Sequence, residues 1–363
     1  MPMKNLIEQA DNQIIKNRIE TLELSWNELY DMYKHQELRI PPAYQKLFRW
    51  GEERQSRFVE SLLLEMPVPP VYVMEVNPGE YELMDGLQRV CSYLRFRGEQ
   101  LDDTQEEALV LKGCDFIRDL DGQTFAQLPK AMQIKLKRSF VRMQVIRPEN
   151  DPLFQYRMFK RLHTGGGYLS EQEIRSCAIR LLGPDGLDFL EECSKNKDFK
   201  TVVSKVAADK KKTQYDQELV LRFFAVKNDS GQESYPLTEY LTRYLEKITT
   251  KELAFDFQKE KDLFEKTFAF INQHWGKEAF SRKTPKGKIR NEFVLYYFDS
   301  VTAAIAYYMD KIMEYGEEME IVEAIDYVKY GPGLSACKTD SMQDIRARIA
   351  LMKEKAGEIL DGR

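Results

Sequence analysis

The chain has 363 residues, a formal net charge of −5 and 43% hydrophobic residues. This length predicts two domains with substantial cores, and no apolar run approaches the ~20 residues of a membrane span. Residues 1–16 are polar and charged, without the apolar core of a signal peptide. We therefore expect a cytoplasmic protein with no membrane partner.

The cysteines and histidines exclude several kinds of site. The five cysteines are widely spaced and form no CxxC pair, which argues against a disulfide framework and against a zinc ribbon. The three histidines, His35, His163 and His274, show no clustering of the kind that a histidine-dependent metal nuclease needs. We predict no metal site and assign no cofactor from these residues. The slightly acidic total leaves DNA binding open, because local basic patches decide that interaction.

The first half of the chain alternates short strands and helices. Residues 18–24 read as a strand, and Ser25 is a plausible N-cap for a helix from Trp26 to Lys34. A short strand over 37–40 ends at Pro41-Pro42. Further along, the pattern predicts helices over 52–65, 125–137 (with Pro129 limiting its start) and from Pro152, and strands over 71–76, 80–84 and 140–146.

The stretch Tyr81 to Leu94 combines a strand, a turn and the start of a helix. Asp85-Gly86 is a turn dipeptide, and apolar residues then recur with helical spacing. Such a turn exposes free backbone N–H groups and the positive end of a helix dipole, which together favour an anion. Asp85, Gln88 and Arg89 add a carboxylate, an amide and a guanidinium. An ordinary strand–helix turn with a solvated arginine would show the same pattern, so both interpretations stay open here.

The stretch Tyr44 to Trp50 is predicted to be a polar-aromatic loop. Aromatic side chains beside Gln45 and Arg49 can stack on a base or clamp a phosphate. More often, such side chains pin a loop onto a core.

A second loop follows the helix that starts near Pro152. This helix ends in Arg161-Leu162-His163, and Gly165-Gly166-Gly167 comes soon after. Successive glycines allow close approach of a ligand, or equally a flexible linker. His163 either enters the site or fills the helix end. Ser170 and Glu173 then form a capping-box pattern for a helix through about Leu182.

After Gly183-Pro184 the pattern is helical. Helices are predicted over 214–228, 236–249, 251–274, 289–315, 316–330 and 341–360, and their aromatic and aliphatic stripes indicate a core. We place a domain boundary near Gly183. Residues 1–183 are then the catalytic or ligand-binding domain, and residues 184–363 are a helical domain that offers a DNA-binding or partner surface.

Two basic stretches lie in the helical half, over 205–212 and 282–290. A charge run is usually a solvated face, but two such runs also fit a DNA phosphate-backbone footprint. The candidate backbone contacts are Lys210, Lys211, Lys212, Arg282, Lys283, Lys286, Lys288 and Arg290.

Taken together, these stretches resemble the domain of unknown function 262 family, typified by the N-terminal domain of GmrSD-type modification-dependent restriction proteins, in the ParB/sulfiredoxin superfamily. The resemblance covers most of residues 20–225. It implies an α+β fold, with a ParB/sulfiredoxin-like N-terminal domain and a mostly helical C-terminal domain. The segments that carry it are Tyr44-Gln45 with Trp50, Ser61-Leu62-Leu63-Leu64, Pro67-Val68-Pro69-Pro70, Asp85-Gly86-Leu87-Gln88-Arg89, Phe159-Lys160-Arg161-Leu162-His163 with Gly165-Gly166, Leu169 to Arg175, and Asp216, Glu218 and Arg222.

The resemblance implies a pocket formed by the Asp-Gly turn and the glycine loop. In relatives with an attached nuclease, this pocket binds and hydrolyses nucleoside triphosphate in defence against phage DNA, which is often modified. Relatives read Asp-Gly-Gln-Gln-Arg and Arg-Leu-Asn, whereas Leu87 and His163 stand here in place of the first Gln and the Asn. The C-terminal half also lacks the His-Asn-His-type motif of nuclease-bearing relatives.

Three functions follow as hypotheses, and the first is favoured slightly because the chain shows no effector motif. In the first, the protein is a DNA glycosylase that excises a modified base from phage DNA: Asp85 activates water or stabilises the oxocarbenium-like sugar, Arg89 holds phosphate, and Tyr44 and Trp50 stack on the flipped base. In the second, it is an NTP-hydrolysing sensor that uses Mg²⁺ and acts with a separate effector nuclease. In the third, it is a non-enzymatic DNA-binding or partner-binding module.

The candidate residues are shared between these hypotheses. The catalytic candidates are Asp85, Gln88 and Arg89. The substrate- or nucleotide-binding candidates are Tyr44, Gln45, Arg49, Trp50, Gly86, Arg161, His163, Gly165 and Gly166.

Overall fold

The computed structural model describes residues 17–101, 107–148, 152–163, 170–229, 231, 235–316, 318–331, 334 and 339–361. The chain divides into two compact units, Met1–Gly166 and Gly167–Arg363. The first unit contains a mixed sheet with helices, and the second is helical. The predicted α+β class with a helical C-terminal part is therefore confirmed, whereas the domain limit near Gly183 stays a prediction.

The first unit is built on a five-stranded sheet. Its strands are β1 (Asn17–Ser25), β2 (Leu38–Arg39), β3 (Val71–Asn77), β4 (Glu80–Asp85) and β5 (Phe140–Pro148), in the spatial order β1-β5-β3-β4-β2. β5 lies antiparallel to β1 and parallel to β3. β4 pairs antiparallel with β3 and parallel with β2. In the pairing with β3, Asp85 at the end of β4 lies opposite Tyr72.

Helices cover this sheet and connect its strands. They are α1 (Trp26–Lys34), α2 (Pro42–Gln45), α3 (Glu52–Leu63), α4 (Leu87–Phe96), α5 (Lys130–Arg138) and α6 (Pro152–His163), with 3-10 turns at Arg118–Leu120 and Phe125–Gln127. The predicted cap is confirmed, because the Ser25 hydroxyl accepts a hydrogen bond from the Glu28 N–H at 3.1 Å. Trp26 is fully buried and contacts the rings of Phe58 on α3 and Tyr93 on α4. This aromatic contact helps to fix α3 against α4, the two helices that flank the site described below.

The second unit is a helical assembly around an aromatic core. Its helices are α7 (Glu171–Arg180), α8 (Asp185–Ser194), α9 (Lys197–Val202), α10 (Ala208–Lys211), α11 (Tyr215–Lys227), α12 (Leu237–Thr249), α13 (Phe257–Trp275), α14 (Leu295–Tyr315), α15 (Glu318–Tyr330) and α16 (Met342–Asp361), with a 3-10 turn at Gly276–Glu278. The capping box of Ser170 and Glu173 forms as predicted, with both reciprocal hydrogen bonds. The rings of Phe223, Phe264 and Phe268 pack edge-on or tilted at 4.4–5.5 Å.

Charged side chains also lie inside the second unit. The Arg222 guanidinium on α11 donates two hydrogen bonds to the carboxylate of Asp299 on α14, and both side chains are almost completely buried. Burial, the largest single influence, lowers the pKa of Arg222, but the carboxylates of Asp299 and Asp340 together outweigh it, so the pKa is raised. Arg222, which carried part of the family resemblance, therefore has a structural contact in the core.

Several predicted boundaries differ from the observed ones. Tyr44 and Gln45 lie in the short helix α2 rather than in a loop, and α14 begins at Leu295 instead of residue 289. The later start has a local cause, since an antiparallel bridge joins Lys283 to Ile289 and keeps Ile289 out of the helix. Helices α8, α9 and α10 were not predicted. None of the helices within the described ranges is long and apolar enough to cross a membrane.

Candidate functional site

The turn between β4 and α4 forms the centre of the candidate site. Gly86 has φ +104°, a left-handed conformation that favours glycine. A Cβ atom at this position would lie 3.1 Å from Val71 Cγ2 and 3.3 Å from an Arg89 guanidinium nitrogen. Backbone conformation and close packing therefore both select glycine here, and the chain enters α4 immediately after the β4 carboxylate.

Asp85 and Arg89 lie on the same side of this turn. One Asp85 carboxylate oxygen is 3.6 Å from Arg89 Nη2, and the side chains are 32% and 17% exposed, respectively. The separation is longer than a hydrogen bond. Arg89 Nη2 instead donates to the Pro70 carbonyl at 3.0 Å. The arginine is thereby fixed to the backbone, and its charge stays beside a partly exposed carboxylate.

The first turn of α4 adds backbone donors to these side chains. Its first intrahelical hydrogen bond runs from the Val90 N–H to the Gly86 carbonyl at 2.9 Å, and no side chain among the described residues caps this end of the helix. The N–H groups that precede Val90 in the helix have no carbonyl partner within the helix and are directed out of its N-terminal end. Together with the helix dipole, these groups favour an anion at this position.

Gln88 connects the turn to the Tyr44–Trp50 segment. Its Oε1 accepts hydrogen bonds from the backbone N–H groups of Arg49 (2.9 Å) and Trp50 (3.1 Å). Its Nε2 donates to the Leu47 carbonyl at 2.7 Å. From α3, Gln55 Nε2 donates to the Trp50 carbonyl at 2.6 Å. The Gln88 amide therefore positions this segment beside α4, and a catalytic role for Gln88 stays a prediction.

The two aromatic residues of the segment have packing partners. Tyr44 is 4% exposed and lies edge-on to Phe159 of α6 at 5.8 Å. The Trp50 ring lies edge-on to Phe58 at 6.0 Å, and the Arg54 guanidinium is 4.7 Å from its centroid. These contacts anchor the segment to the core. Stacking of either ring on a base stays a prediction.

Three buried N–H groups of the candidate residues have no hydrogen-bond acceptor within the described part of the chain. They are Gln45 Nε2, Trp50 Nε1 and Arg89 Nε. Buried donors in folded proteins are nearly always paired, and an unpaired one costs about 1–3 kcal/mol. Such donors are places where acceptor oxygens of a ligand or of water fit.

An open groove lies beside Trp50, away from the Asp85 carboxylate. It has a volume of about 490 Å³ and is lined by Trp50, Glu53, Arg54, Arg57, Phe58 and Ser61. Arg57 is engaged inside the protein, since it donates to the Gly113 carbonyl at 3.1 Å and lies 3.3 Å from the Asp115 carboxylate. No residue of the Asp85–Arg89 turn lines this groove.

The remaining candidates of the first unit lie on α6 and beyond it. Arg161 is exposed on the last turn of α6, and His163 is the last residue of this helix. The His163 side chain, Gly165 and Gly166 lie outside the described residues. Within the described ranges, no group of three or more His, Cys, Asp or Glu residues could hold a metal ion.

The predicted DNA-backbone cations lie in the second unit, and the structure gives them different surroundings. Lys210, Lys211 and Lys212 are exposed, with Lys210 4.8 Å from the Tyr215 ring centroid. Arg282 pairs with Glu292, and Lys283 lies 3.8 Å from the Tyr330 ring centroid. Lys286, Lys288 and Arg290 are exposed.

Sequence reasoning missed two contributors to the first-unit site, the Pro70 carbonyl and the Gln55 side chain. Pro70 was noted in the sequence as part of a segment that carries the family resemblance, without a role in the site, yet its carbonyl accepts a hydrogen bond from Arg89. Gln55 is a polar residue that is buried on α3. Its position on the apolar side of an amphipathic helix is the only sequence signal that could have indicated this role.

Comparison with known protein families gives a match that covers residues 26–180. Residues 26–180 match the family model described as the N-terminal domain of GmrSD restriction endonuclease. The matched range contains the Asp85–Arg89 turn, the Tyr44–Trp50 segment and α6. Searches of curated proteins and of solved structures gave no match. The part of the chain that carries the candidate site is therefore similar to the N-terminal domain of a restriction endonuclease.

Proposed function

We propose that this chain is a restriction-type phage-defence protein that acts on DNA, with the Asp85–Arg89 turn as its hydrolytic site. The observation that carries the proposal is the partly exposed Asp85 carboxylate, 3.6 Å from the fixed Arg89 guanidinium at the open N-terminus of α4. A carboxylate can activate water, while a guanidinium and helix amides bind phosphate. The match of residues 26–180 to a restriction endonuclease domain supports DNA as the substrate.

The proposed reaction is hydrolysis of the N-glycosidic bond of a modified base in phage DNA. Asp85 accepts a proton from water as the water oxygen bonds to the sugar C1′, or stabilises positive charge on the sugar as the bond to the base breaks. The departing base takes up one proton, which leaves a free base and an abasic sugar. Arg89 and the first-turn N–H groups of α4 hold a neighbouring phosphate, and Gln88 keeps the Tyr44–Trp50 segment beside it.

A second candidate function is hydrolysis of a nucleoside triphosphate by a sensor that acts with a separate nuclease. The anion-binding character of the α4 N-terminus favours it, because the phosphates of a triphosphate are anions of the kind that such a terminus binds. In this reaction Asp85 orients the attacking water. The same carboxylate, together with waters, would hold a Mg²⁺ ion, which would neutralise phosphate charge.

One set of assays separates the two reactions. Purified protein is incubated with unmodified DNA and with base-modified phage DNA, without nucleotide or metal, and mild alkali then reveals abasic sites. Triphosphate hydrolysis is measured on the same preparations. Asp85→Asn is compared with Asp119→Asn, which changes an exposed carboxylate on the 3-10 turn Arg118–Leu120.

Base excision predicts alkali-labile breaks in modified DNA that Asp85→Asn abolishes and Asp119→Asn leaves intact. Intact DNA together with Asp85-dependent triphosphate hydrolysis would rule out base excision and favour the triphosphate-hydrolysing sensor. Activity that survives Asp85→Asn in both assays would rule out the turn as the hydrolytic site.

A further inference from the structure

Two basic segments that are distant in sequence meet in the second unit. Lys205 Nζ donates hydrogen bonds to Ser281 Oγ (3.0 Å) and to the Arg290 carbonyl (3.1 Å). On the same segment, Lys211 Nζ bonds back to the Ser204 carbonyl at 2.6 Å. Residues 203–213 and 281–292 therefore lie side by side, and we call them together the cationic surface.

The second of these segments folds as a hairpin with lysines at its tip. The Thr284 N–H donates to the Lys288 carbonyl, and the Gly287 N–H donates to the Thr284 carbonyl, each at 2.8 Å. Gly287 has φ +80°, which suits glycine in this tight turn. At the root, the Arg282 guanidinium makes two hydrogen bonds of 2.8 Å to the Glu292 carboxylate. These bonds give the tip a defined position on the unit.

The charge of the cationic surface opposes that of the whole chain. Residues 203–213 contain four lysines and one aspartate, and residues 281–292 contain five basic residues and one glutamate, in a chain of net charge −5. Charges act over about 8–10 Å at physiological salt. A polyanion near this surface therefore meets a positive local field despite the acidic total.

Three cations of this surface have partners inside the protein, and two others are exposed at the hairpin tip. Lys205, Arg282 and Lys283 are engaged inside the protein, with backbone, carboxylate or ring partners. Lys286 and Lys288, at the hairpin tip, are exposed, and within the described residues neither ammonium group has an ion-pair or hydrogen-bond partner. The engaged cations hold the hairpin in shape, and the two tip lysines are available to a ligand.

The composition of the surface distinguishes duplex from single-stranded nucleic acid. Neither segment contains an aromatic residue. The neighbouring rings of Tyr215 and Tyr330 are approached by Lys210 and Lys283. Proteins that bind single strands without sequence preference combine a basic groove with aromatic platforms for the bases, whereas duplex DNA is held mainly through its phosphates.

We propose that the cationic surface binds the phosphate backbone of double-stranded DNA, with Lys286 and Lys288 as contact residues at the hairpin tip. The proposal rests on the DNA substrate of the proposed function. It adds a second DNA contact, in the helical unit, that is separate from the hydrolytic turn.

The test is the salt dependence of binding to an unmodified DNA duplex, measured by fluorescence anisotropy on the full chain. K286Q/K288Q is compared with K259Q/K266Q, which removes two exposed lysines of α13. Each phosphate contact contributes about 0.9 to the slope of log K against log salt. The tip variant is expected to reduce the magnitude of this slope by about 2 and to weaken binding roughly tenfold or more at moderate salt. The α13 variant is expected to bind like the parent, and both variants should keep the parent's thermal midpoint.

The outcomes separate this inference from the proposed function. If K286Q/K288Q leaves the slope unchanged while Asp85-dependent activity on DNA is intact, only the proposal that the cationic surface binds DNA is overturned. Tighter binding of single strands than of duplex overturns the assignment to duplex DNA. A parent protein that binds neither duplex nor single strands removes DNA as the substrate and refutes both proposals.

Discussion

Lys329 on α15 is a buried lysine, 1% exposed, whose environment opposes its charge. Its Nζ lies 4.0 Å from the Asp326 carboxylate and 4.8–5.8 Å from the ring centroids of Tyr330, Trp275 and Tyr297. Within the described residues this Nζ has no hydrogen-bond partner. Burial lowers the pKa of Lys329 to about 8, against a smaller raising effect of Asp326. The folded protein therefore carries a costly charge at neutral pH.

Lys329→Met is expected to stabilise the protein at pH 7 by about 1–3 kcal/mol, because a depression of one pKa unit corresponds to about 1.4 kcal/mol. Between pH 8 and about 10.5, the unfolded chain binds this proton and the folded chain does not. The stability of the parent due to this group therefore rises with pH in that window, and the advantage of the variant shrinks. Urea denaturation at pH 7, 8, 9 and 10 measures the difference. Lys259→Met, on the surface of α13, serves as the control, and a pH-independent difference would contradict the explanation.

At the scale of elements, the side chain of Gln88 joins α4 to the segment that follows α2. Gln88→Leu keeps the size but removes three hydrogen bonds, which leaves the N–H groups of Arg49 and Trp50 and the Leu47 carbonyl without this partner. We expect a loss of about 2–3 kcal/mol in the free energy of unfolding, from about 1 kcal/mol per bond.

A second variant tests the geometry of the Gln88 contacts. Gln88→Glu keeps an acceptor for the N–H groups of Arg49 and Trp50, so its loss in the free energy of unfolding should be smaller than that of Gln88→Leu at neutral pH. It still loses the third bond, because a carboxylate oxygen then faces the Leu47 carbonyl. Chemical denaturation measures both variants. A Gln88→Leu protein as stable as the parent would show that other contacts hold the segment.

The local order around the site could be predicted from sequence, because short-range chemistry decides it. The strand to Asp85, the turn at Gly86 and the helix from Leu87 form as predicted, since turn residues and apolar spacing act within a few residues. The caps at Ser25 and Ser170 are local in the same way. Here a residue and its partner are neighbours in the chain.

Contacts between distant segments could not be predicted in this way. β5 enters the sheet between β1 and β3, and Gln88 finds partners about 40 residues upstream, because the packing of the whole unit selects these pairs. The packing of Tyr44 on Phe159 has the same origin. The contact of Lys205 with Arg290, which unites two basic segments, likewise had no signal in either stretch alone.

At the scale of the whole molecule, α7 shows where the second unit begins. Its residues Ile174, Ala178 and Ile179 are buried, and α7 packs against α8, α11 and α12. Arg175, also buried, donates to Thr242 Oγ1 of α12 at 3.1 Å. A domain limit at Gly183 would separate this helix from the helices on which it packs.

Two fragments test this division. Residues 167–363 retain α7, and we expect this fragment to unfold cooperatively and to bind duplex DNA through the cationic surface. Residues 184–363 lack α7 and expose the apolar surface that Ile174, Ala178 and Ile179 cover. Because burying an aliphatic side chain contributes about 1.5–3 kcal/mol, the shorter fragment should have a clearly lower thermal midpoint by circular dichroism. Equal midpoints would instead place the boundary at Gly183, since α7 would then add no stability to the helices that follow it.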